Sequence, residues 1–201
     1  MDNPARTAEH RERLAQRRET LQGAFDQIFS PGKTSFLWEV GCGHGHFLTA
    51  YAQAHPEKLC VGIDIASDRI GRAVRKRDRA RLGNLHFLQA EARFFLEALP
   101  SQVRFSDVFI LFPDPWPKLR HHKHRILQAA FLDAVAARMA PGGRLLFRTD
   151  HEPYFQDAVA VVDAHAQWQR MDEPWPFEFE TVFQSRAPNY HSLIARPTRG
   201  P

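Results

Sequence analysis

Apolar and polar positions change period several times along the chain, and each change marks an element. Residues 5–29 are mostly charged or polar, with apolar positions at Leu14, Leu21, Phe25, Ile28 and Phe29, which predicts a helical arm. "SPGK" at 30–33 is a turn that closes the arm. Beyond it, "SFLWEV" (35–40) is a continuous apolar run suited to a strand buried on both faces, and "FLTAYAQAH" (47–55) is helical with Phe47, Tyr51 and Ala54 on one face. "LCVGIDI" (59–65) is a second strand; Ser67 is placed to cap the next helix, whose inward face is Ile70, Ala73 and Val74. Strands follow at "LHFLQA" (85–90) and "VFILF" (108–112), with a short helix near 91–99 between them. Helical spacing of Ile126, Leu127, Ala130, Phe131, Ala134 and Val135 predicts a helix over 126–139; "PGG" ends it and "RLLFRT" (144–149) is the fifth strand. A helix over 153–165 then leads to "FEFETVFQ" (177–184) and "HSLIA" (191–195), which look like a closing β-pair. Strands alternating with helices predict an α/β fold with a mostly parallel sheet.

Composition narrows the class. The chain has 201 residues, 43% of them hydrophobic and 25% charged, which suits one domain with a real core. No apolar run approaches the roughly 18 residues of a membrane span, and the charge-rich start has no apolar signal-peptide core, so the expected location is the cytoplasm. Cys42 and Cys60 fit neither a CxxC motif nor a zinc-ligand spacing and are expected to be reduced fillers. Net charge is only +4, but basic residues cluster, and a local basic surface attracts phosphates whatever the sum.

Chemistry concentrates at two strand ends. "EVGCGHGHF" joins the first strand to the first helix of the core with Gly41, Gly43 and Gly45, a G-x-G-x-G spacing that differs from both the dinucleotide fingerprint and the P-loop. Asp64 ends the second strand, where a carboxylate accepts hydrogen bonds from ribose hydroxyls, and Glu39 adds an acid just before the loop. Two acids suit a ligand with ribose hydroxyls and an ammonium group, the make-up of S-adenosylmethionine. Ser67 and Arg69 are expected to be a cap and a surface residue, and His44 and His46 to flank the glycine turn.

The fourth strand ends in "FPDPWPKLRHHKHR" (112–125). Prolines fix φ and restrict the residue before them, so Asp114, between Pro113 and Pro115, has little backbone freedom. Seven of the eight residues from Lys118 to Arg125 are basic or histidine. Lys118, Arg120, Lys123 and Arg125, with His121, His122 and His124, can line a phosphate path. Three histidines so close in sequence rarely converge on one ion, and no metal site is expected. Trp116 is left open between packing in the core and stacking near a base. Arg69, Arg72, Arg75, Lys76, Arg77, Arg79 and Arg81 form a second basic cluster, open between a solvated helix face and a nucleic-acid surface.

Taken with "GIDI", "NLHFLQAEA", "PGGRLLFRTDHEPY" and, more weakly, "TVFQ", these stretches resemble the bacterial tRNA (guanine-N7)-methyltransferases from about residue 36 to 184. The resemblance implies a Rossmann-like class I methyltransferase sandwich, a seven-stranded, mostly parallel sheet with helices on both faces. The helical arm would then be residues 1–33 and the methyltransferase domain 34–201. It implies that Glu39, Asp64, Glu91 and Asp114 contact S-adenosylmethionine, and that Lys118, Asp150 and the stretch Thr181–Gln184 contact tRNA. Asp64 stands where the family usually has Glu, Glu91 where it has Asp, and Gln184 where it has Glu; the tail "SRAPNYHSLIARP" is shorter than usual.

Guanine N7 has an exposed lone pair and needs no general base, so catalysis reduces to alignment and to carboxylates near the ring that becomes cationic. Asp114 is the expected residue at the methyl-transfer centre, with Asp150 gripping the guanine's donor edge. The expected partner is tRNA, with no membrane and no obligate protein partner, the protein being a monomer or homodimer. The alternatives are a methyltransferase for another RNA position, a small molecule or a protein, and a non-catalytic RNA-binding module. The variable loop as target is an implication of the resemblance alone.

Overall fold

The protein is described by a computed structural model covering residues 4–29, 34–179 and 189–198. It opens with a helix, α1 (Pro4–Ile28), followed by alternating strands and helices: β1 (Ser35–Val40), α2 (His46–Ala54), β2 (Cys60–Asp64), α3 (Ser67–Ala80), β3 (Leu85–Gln89), α4 (Ala92–Ala98) and β4 (Arg104–Leu111). A 3₁₀ turn (Leu119–His124) precedes α5 (Ala129–Ala136), β5 (Met139–Thr149), α6 (Glu152–Asp163), β6 (Trp168–Met171) and β7 (His191–Pro197).

The seven strands form one sheet in the order β3-β2-β1-β4-β5-β7-β6. The β1–β2, β2–β3, β1–β4 and β4–β5 pairs are parallel, and β7 runs antiparallel to both β5 and β6. The order reverses between β1 and β4, so the carboxyl ends of these two strands open a crevice of the kind in which α/β sheets bind ligands.

Alternation along β1 builds both faces of the core. Phe36, Trp38 and Val40 face one layer, where the Trp38 ring stacks on Phe95 at 5.1 Å and on Phe105 at 5.0 Å. Leu37 faces the other layer, with Phe47, Leu48 and Tyr51 of α2 and Phe109 of β4. Leu21, Phe25 and Ile28 of α1 are buried in the first layer at helical spacing, and Gln22 donates to the Ala98 carbonyl at 2.7 Å. Residues 11–20 of the same helix are exposed.

Several expectations are corrected. Ala54 is exposed, and Leu48 and Ala52 fill the inner face of α2 instead. Ala66, in extended conformation, occupies the cap position of α3, and no side chain caps it; the Asp64 carboxylate takes the Ala66 N–H at 2.9 Å. The helix predicted over 126–139 shortens to α5, because the Tyr154 hydroxyl takes the N–H groups of Ile126 and Leu127 and Gln128 is extended. "PGG" lies inside β5 as an irregularity: pairing passes from Phe105 with Met139 to Asp107 with Arg144. The partner of β7 at the sheet's end is β6, not 177–184; Phe177 and Phe179 pack as irregular chain against the second core layer, and residues 180–184 lie outside the described residues.

Gly45 shows how tightly the first loop sits on this frame. It has φ +68°, and a Cβ there would lie 2.5 Å from the Phe87 ring and 2.9 Å from the Ala73 Cβ. Gly45→Ala therefore combines a left-handed alanine with overpacking and should cost about 2–4 kcal/mol. A urea titration should show a lower midpoint with an unchanged slope.

Candidate active site

The crevice between β1 and β4 is a cleft of about 570 Å³, lined by Gly41, Asp64, Ile65, Arg69, Glu91, Asp114, Trp116, Lys123, His124 and Arg125 among others. The segments that follow β1, β2, β3 and β4 all contribute to this lining. Gly41, Gly43 and Gly45 all have positive φ, which only glycine adopts without strain, so the loop after β1 turns within a few residues; Gly41 lines the cleft, whereas Gly43 and Gly45 are not in its lining.

Asp64, 5% exposed, holds that loop in place. One carboxylate oxygen takes the Gly43 N–H at 3.0 Å and the other the Ala66 N–H at 2.9 Å, and the Arg69 guanidinium lies 3.7 Å away. Arg69 is exposed, as expected of a surface residue, and it also forms part of the cleft wall. The signal was available: it lies five residues after the acid at the end of β2, on the first turn of the following helix. Glu39 is 3% exposed, and its Oε2 has no hydrogen-bond partner among the described residues. Burial, and then the charge of Asp64, pushes its pKa up to about 8. Glu91 caps α4 by accepting the Phe94 N–H at 3.0 Å while also lining the cleft.

The loop after β4 supplies the opposite wall. Phe112 and Trp116 have φ of 50° and 45°, so two non-glycine residues in left-handed conformation flank Pro113–Asp114–Pro115. Each such residue costs about 1 kcal/mol or more and persists only when its surroundings over-determine it. The surroundings here are specific. The Phe112 N–H donates to the Arg148 carbonyl at 2.8 Å. The Arg125 Nε donates to the Pro115 carbonyl at 2.9 Å, its Nη1 pairs with Asp157 of α6, and its guanidinium lies 4.7 Å from the centre of the Tyr154 ring. The Tyr154 hydroxyl, its pKa pushed up to about 12 by burial, accepts the N–H groups that end the loop.

Arg125 accordingly does not join the exposed phosphate ligands it was expected to accompany. It is 2% exposed and spent on holding the loop to α6, because a guanidinium offers five donors in a plane and can serve three neighbours at once. Lys123 and His124 are exposed and line the cleft, whereas Lys118 and Arg120 are exposed outside its lining. Arg120 donates to the His121 ring at 3.2 Å, and His122 faces Asp157 at 3.3 Å. Trp116 stands at the cleft wall, 36% exposed, with its ring 5.0 Å from that of His124. Asp150, at the end of β5, is exposed and is not part of the lining that holds Asp114. Thr181 and Gln184 lie outside the described residues.

Sequence reasoning also missed Arg148. Buried in β5, it donates to Ser192 at 2.9 Å, forks onto Glu178 at 2.8 and 2.5 Å, and stacks between the rings of Trp175 and Tyr190. That pairing lowers the Glu178 pKa. Among the described residues, no group of three or more His, Cys, Asp or Glu is arranged to hold a metal ion.

Comparison with known proteins agrees with this frame. A family model described as "Putative methyltransferase" matches residues 33–188. A tRNA (guanine-N(7)-)-methyltransferase of Chromohalobacter salexigens is 33% identical over 187 residues, 93% of this chain and 72% of that one. The chain belongs to the tRNA (guanine-N7)-methyltransferase family. Family members from Magnetococcus marinus (36% identity over 76% of this chain) and Thiobacillus denitrificans (35% over 64%) are matched over 60% and 57% of their own lengths. The chain thus spans about three fifths of the length of these curated relatives. Solved structures of a precorrin-6y methyltransferase from Geobacter metallireducens (TM-score 0.54, 14% identity, 88% of this chain and 85% of that one) and an rRNA methylase from Streptococcus thermophilus (TM-score 0.55, 9% identity, 88% and 95%) share the fold.

The cleft fits S-adenosylmethionine, the cofactor that the family implies. Glu39 is not itself in the lining but directly precedes the lining residues Val40 and Gly41; its orphaned, buried oxygen would be satisfied by an ammonium group, and the Asp64 carboxylate at the strand end keeps lone pairs for ribose hydroxyls.

Two outcomes follow from the geometry. Asp157→Ala strands the buried Arg125 charge; because Asp157 is half exposed, the loss should sit below the full buried-pair range, at about 2–3 kcal/mol by denaturant titration. Unfolded Glu39 releases its proton near the usual carboxylate value of 4.5, whereas folded Glu39 keeps it to about 8. Its contribution to stability is therefore complete below 4.5 and is lost as pH rises to about 8, and Glu39→Gln should flatten the stability profile in that window.

Proposed function

We propose that the protein transfers a methyl group from S-adenosylmethionine to N7 of a guanine in tRNA. The observation that carries this reading is the immobilised Asp114 loop. A carboxylate at the end of β4 is held between two prolines and two strained residues, in one cleft with the glycine loop and Asp64. Family membership supports the same substrate.

Bound S-adenosylmethionine would supply an electrophilic methyl group on a sulfonium. Gly41, Gly43, Gly45 and Asp64 would hold the nucleoside portion and Glu91 would border it, while Glu39, ionised against the ammonium group, would give up the proton that burial keeps on it. Asp114 would fix the guanine so that N7 faces the methyl carbon, and its charge would offset the cation that develops on the imidazole ring. Alignment of this kind is worth up to roughly 7–11 kcal/mol in ideal cases. No base is needed, since N7 attacks with its own lone pair. Trp116 offers a ring face to the base at the cleft wall, and Lys123, His124, Lys118 and Arg120 draw in the phosphates. Asp150 would contact the tRNA outside the cleft lining, and the variable loop would carry the target guanine. The protein would act in the cytoplasm, where its substrate is; no described helix is long and apolar enough to cross a membrane.

Methyl transfer to unmodified tRNA, followed by chemical cleavage at N7-methylguanine, tests the reading directly. The expected product is one methylated guanine per tRNA, and Asp114→Asn should lower kcat by about 100-fold or more while thermal unfolding stays unchanged. Turnover of Asp114→Asn near the wild-type rate would remove Asp114 from the reaction.

A further inference from the structure

The second basic cluster, which the sequence left open, has a definite arrangement on α3. Ile70 and Ala73 are buried against the sheet, and Arg69, Arg72, Arg75 and Arg79 stand exposed at spacings of three and four residues. They form one stripe along the outer side of the helix. The stripe begins inside the active cleft, since Arg69 lines it and faces Asp64. Beside it, Lys76 donates to the His44 carbonyl at 3.0 Å, which ties this helix to the glycine loop.

Ordinary helix stabilisation does not account for the stripe. Arg77 and Arg79 lie in the last turn, where the helix dipole favours cations, and Arg77 is matched by Asp78. Arg72 and Arg75 lie in the middle of the helix and have no carboxylate within ion-pair distance among the described residues. The acids of α3 are only Asp68 and Asp78, and Asp78 is taken by Arg77. Arg72 stands three residues from Arg75 and four from Lys76, and Arg75 stands four from Arg79. Like charges at these spacings repel and destabilise the helix. Burial, and to a lesser extent the nearby Arg79, lowers the Lys76 pKa. A chain of phosphates laid along the stripe would relieve the repulsion.

We infer that the exposed arginine stripe of α3 is a second binding track for the tRNA backbone, running outward from the cleft on the side opposite the proline loop. The inference rests on the cleft being the site of tRNA methylation. Lys123 and His124 line the cleft from the β4 side and Arg69 from the α3 side, so cations stand on both sides of the position where the reacting base would enter. A nucleotide delivered into the cleft needs its flanking phosphates held on both sides. One track alone would fix a single flank and leave the base free to pivot. Guanidinium groups suit this task because each forks onto phosphate oxygens and none can lose its charge near neutral pH.

The test compares the wild-type protein with the triple variant Arg72→Glu, Arg75→Glu, Arg79→Glu and with the corresponding triple glutamine variant. All three side chains are exposed and outside the cleft lining, so the variants should still unfold cooperatively and bind S-adenosylmethionine as the wild type does. Affinity for unmodified tRNA is measured by fluorescence anisotropy from 50 to 300 mM salt, and methyl transfer is measured in parallel. The expected result is a rise of about tenfold or more in Kd and KM for tRNA with kcat little changed. The slope of log affinity against log salt should be shallower by about 2, as two to three phosphate contacts are removed. Wild-type affinity and an unaltered salt slope in the charge-reversed variant would overturn the inference even if tRNA is methylated. A wild-type protein that binds tRNA through the stripe but methylates no guanine would sustain the track and overturn the proposed reaction; one that binds no tRNA would overturn both.

Discussion

The site depends on one buried cation. Arg125 reaches back across its own loop to the Pro115 carbonyl, forward to Asp157 on α6, and lies on the ring of Tyr154. Without it, the segment that carries Asp114 would keep only His122 facing Asp157 and the Tyr154 hydroxyl on Ile126 and Leu127 among its described links to the helix that follows β5. The strained backbone at Phe112 and Trp116 would then relax. A buried guanidinium is expensive, and it is kept where several acceptors share its donors. Here it converts an exposed excursion of chain into a wall with fixed geometry. The same helix closes the excursion, since Tyr154 takes the N–H groups of Ile126 and Leu127.

On the other side of the crevice the fixing group is an anion. Asp64 spends both carboxylate oxygens on backbone N–H groups, one from the glycine loop and one from the start of α3. A single acid at the end of β2 thereby sets two connections at once and still faces the cleft. Glu39 is its counterpart in the interior. Left without a donor and close to Asp64, it is held protonated over much of the neutral range, an acid that awaits a cation. The cleft lining thus combines acids (Asp64, Glu91 and Asp114) with basic residues (Arg69, Lys123 and Arg125).

The periodic pattern alone was sufficient for the α/β class, for strands β1 to β4 and for the helices flanking them, because buried parallel strands are unbroken apolar runs and the helices carry one apolar stripe each. It was also sufficient to mark Gly41, Gly43 and Gly45, the acids at 39 and 64, and the proline-bound Asp114, since glycine and proline constrain backbone locally wherever the chain folds. The pattern failed where long-range partners decide. Tyr154 turns the start of a predicted helix into extended chain, and β6, four residues long with little apolar signal, exists because β7 offers it an edge.

The roles of individual arginines could come only from the tertiary structure. Arg69, Arg72, Arg125 and Arg148 are chemically identical in sequence. One walls the cleft, one is exposed with no acidic partner among the described residues, and two are buried in separate clamps. A guanidinium at the end of a long side chain takes its function from whichever carboxylate, carbonyl or ring stands within reach. That neighbour is set by strand order and helix packing, not by anything adjacent in the chain.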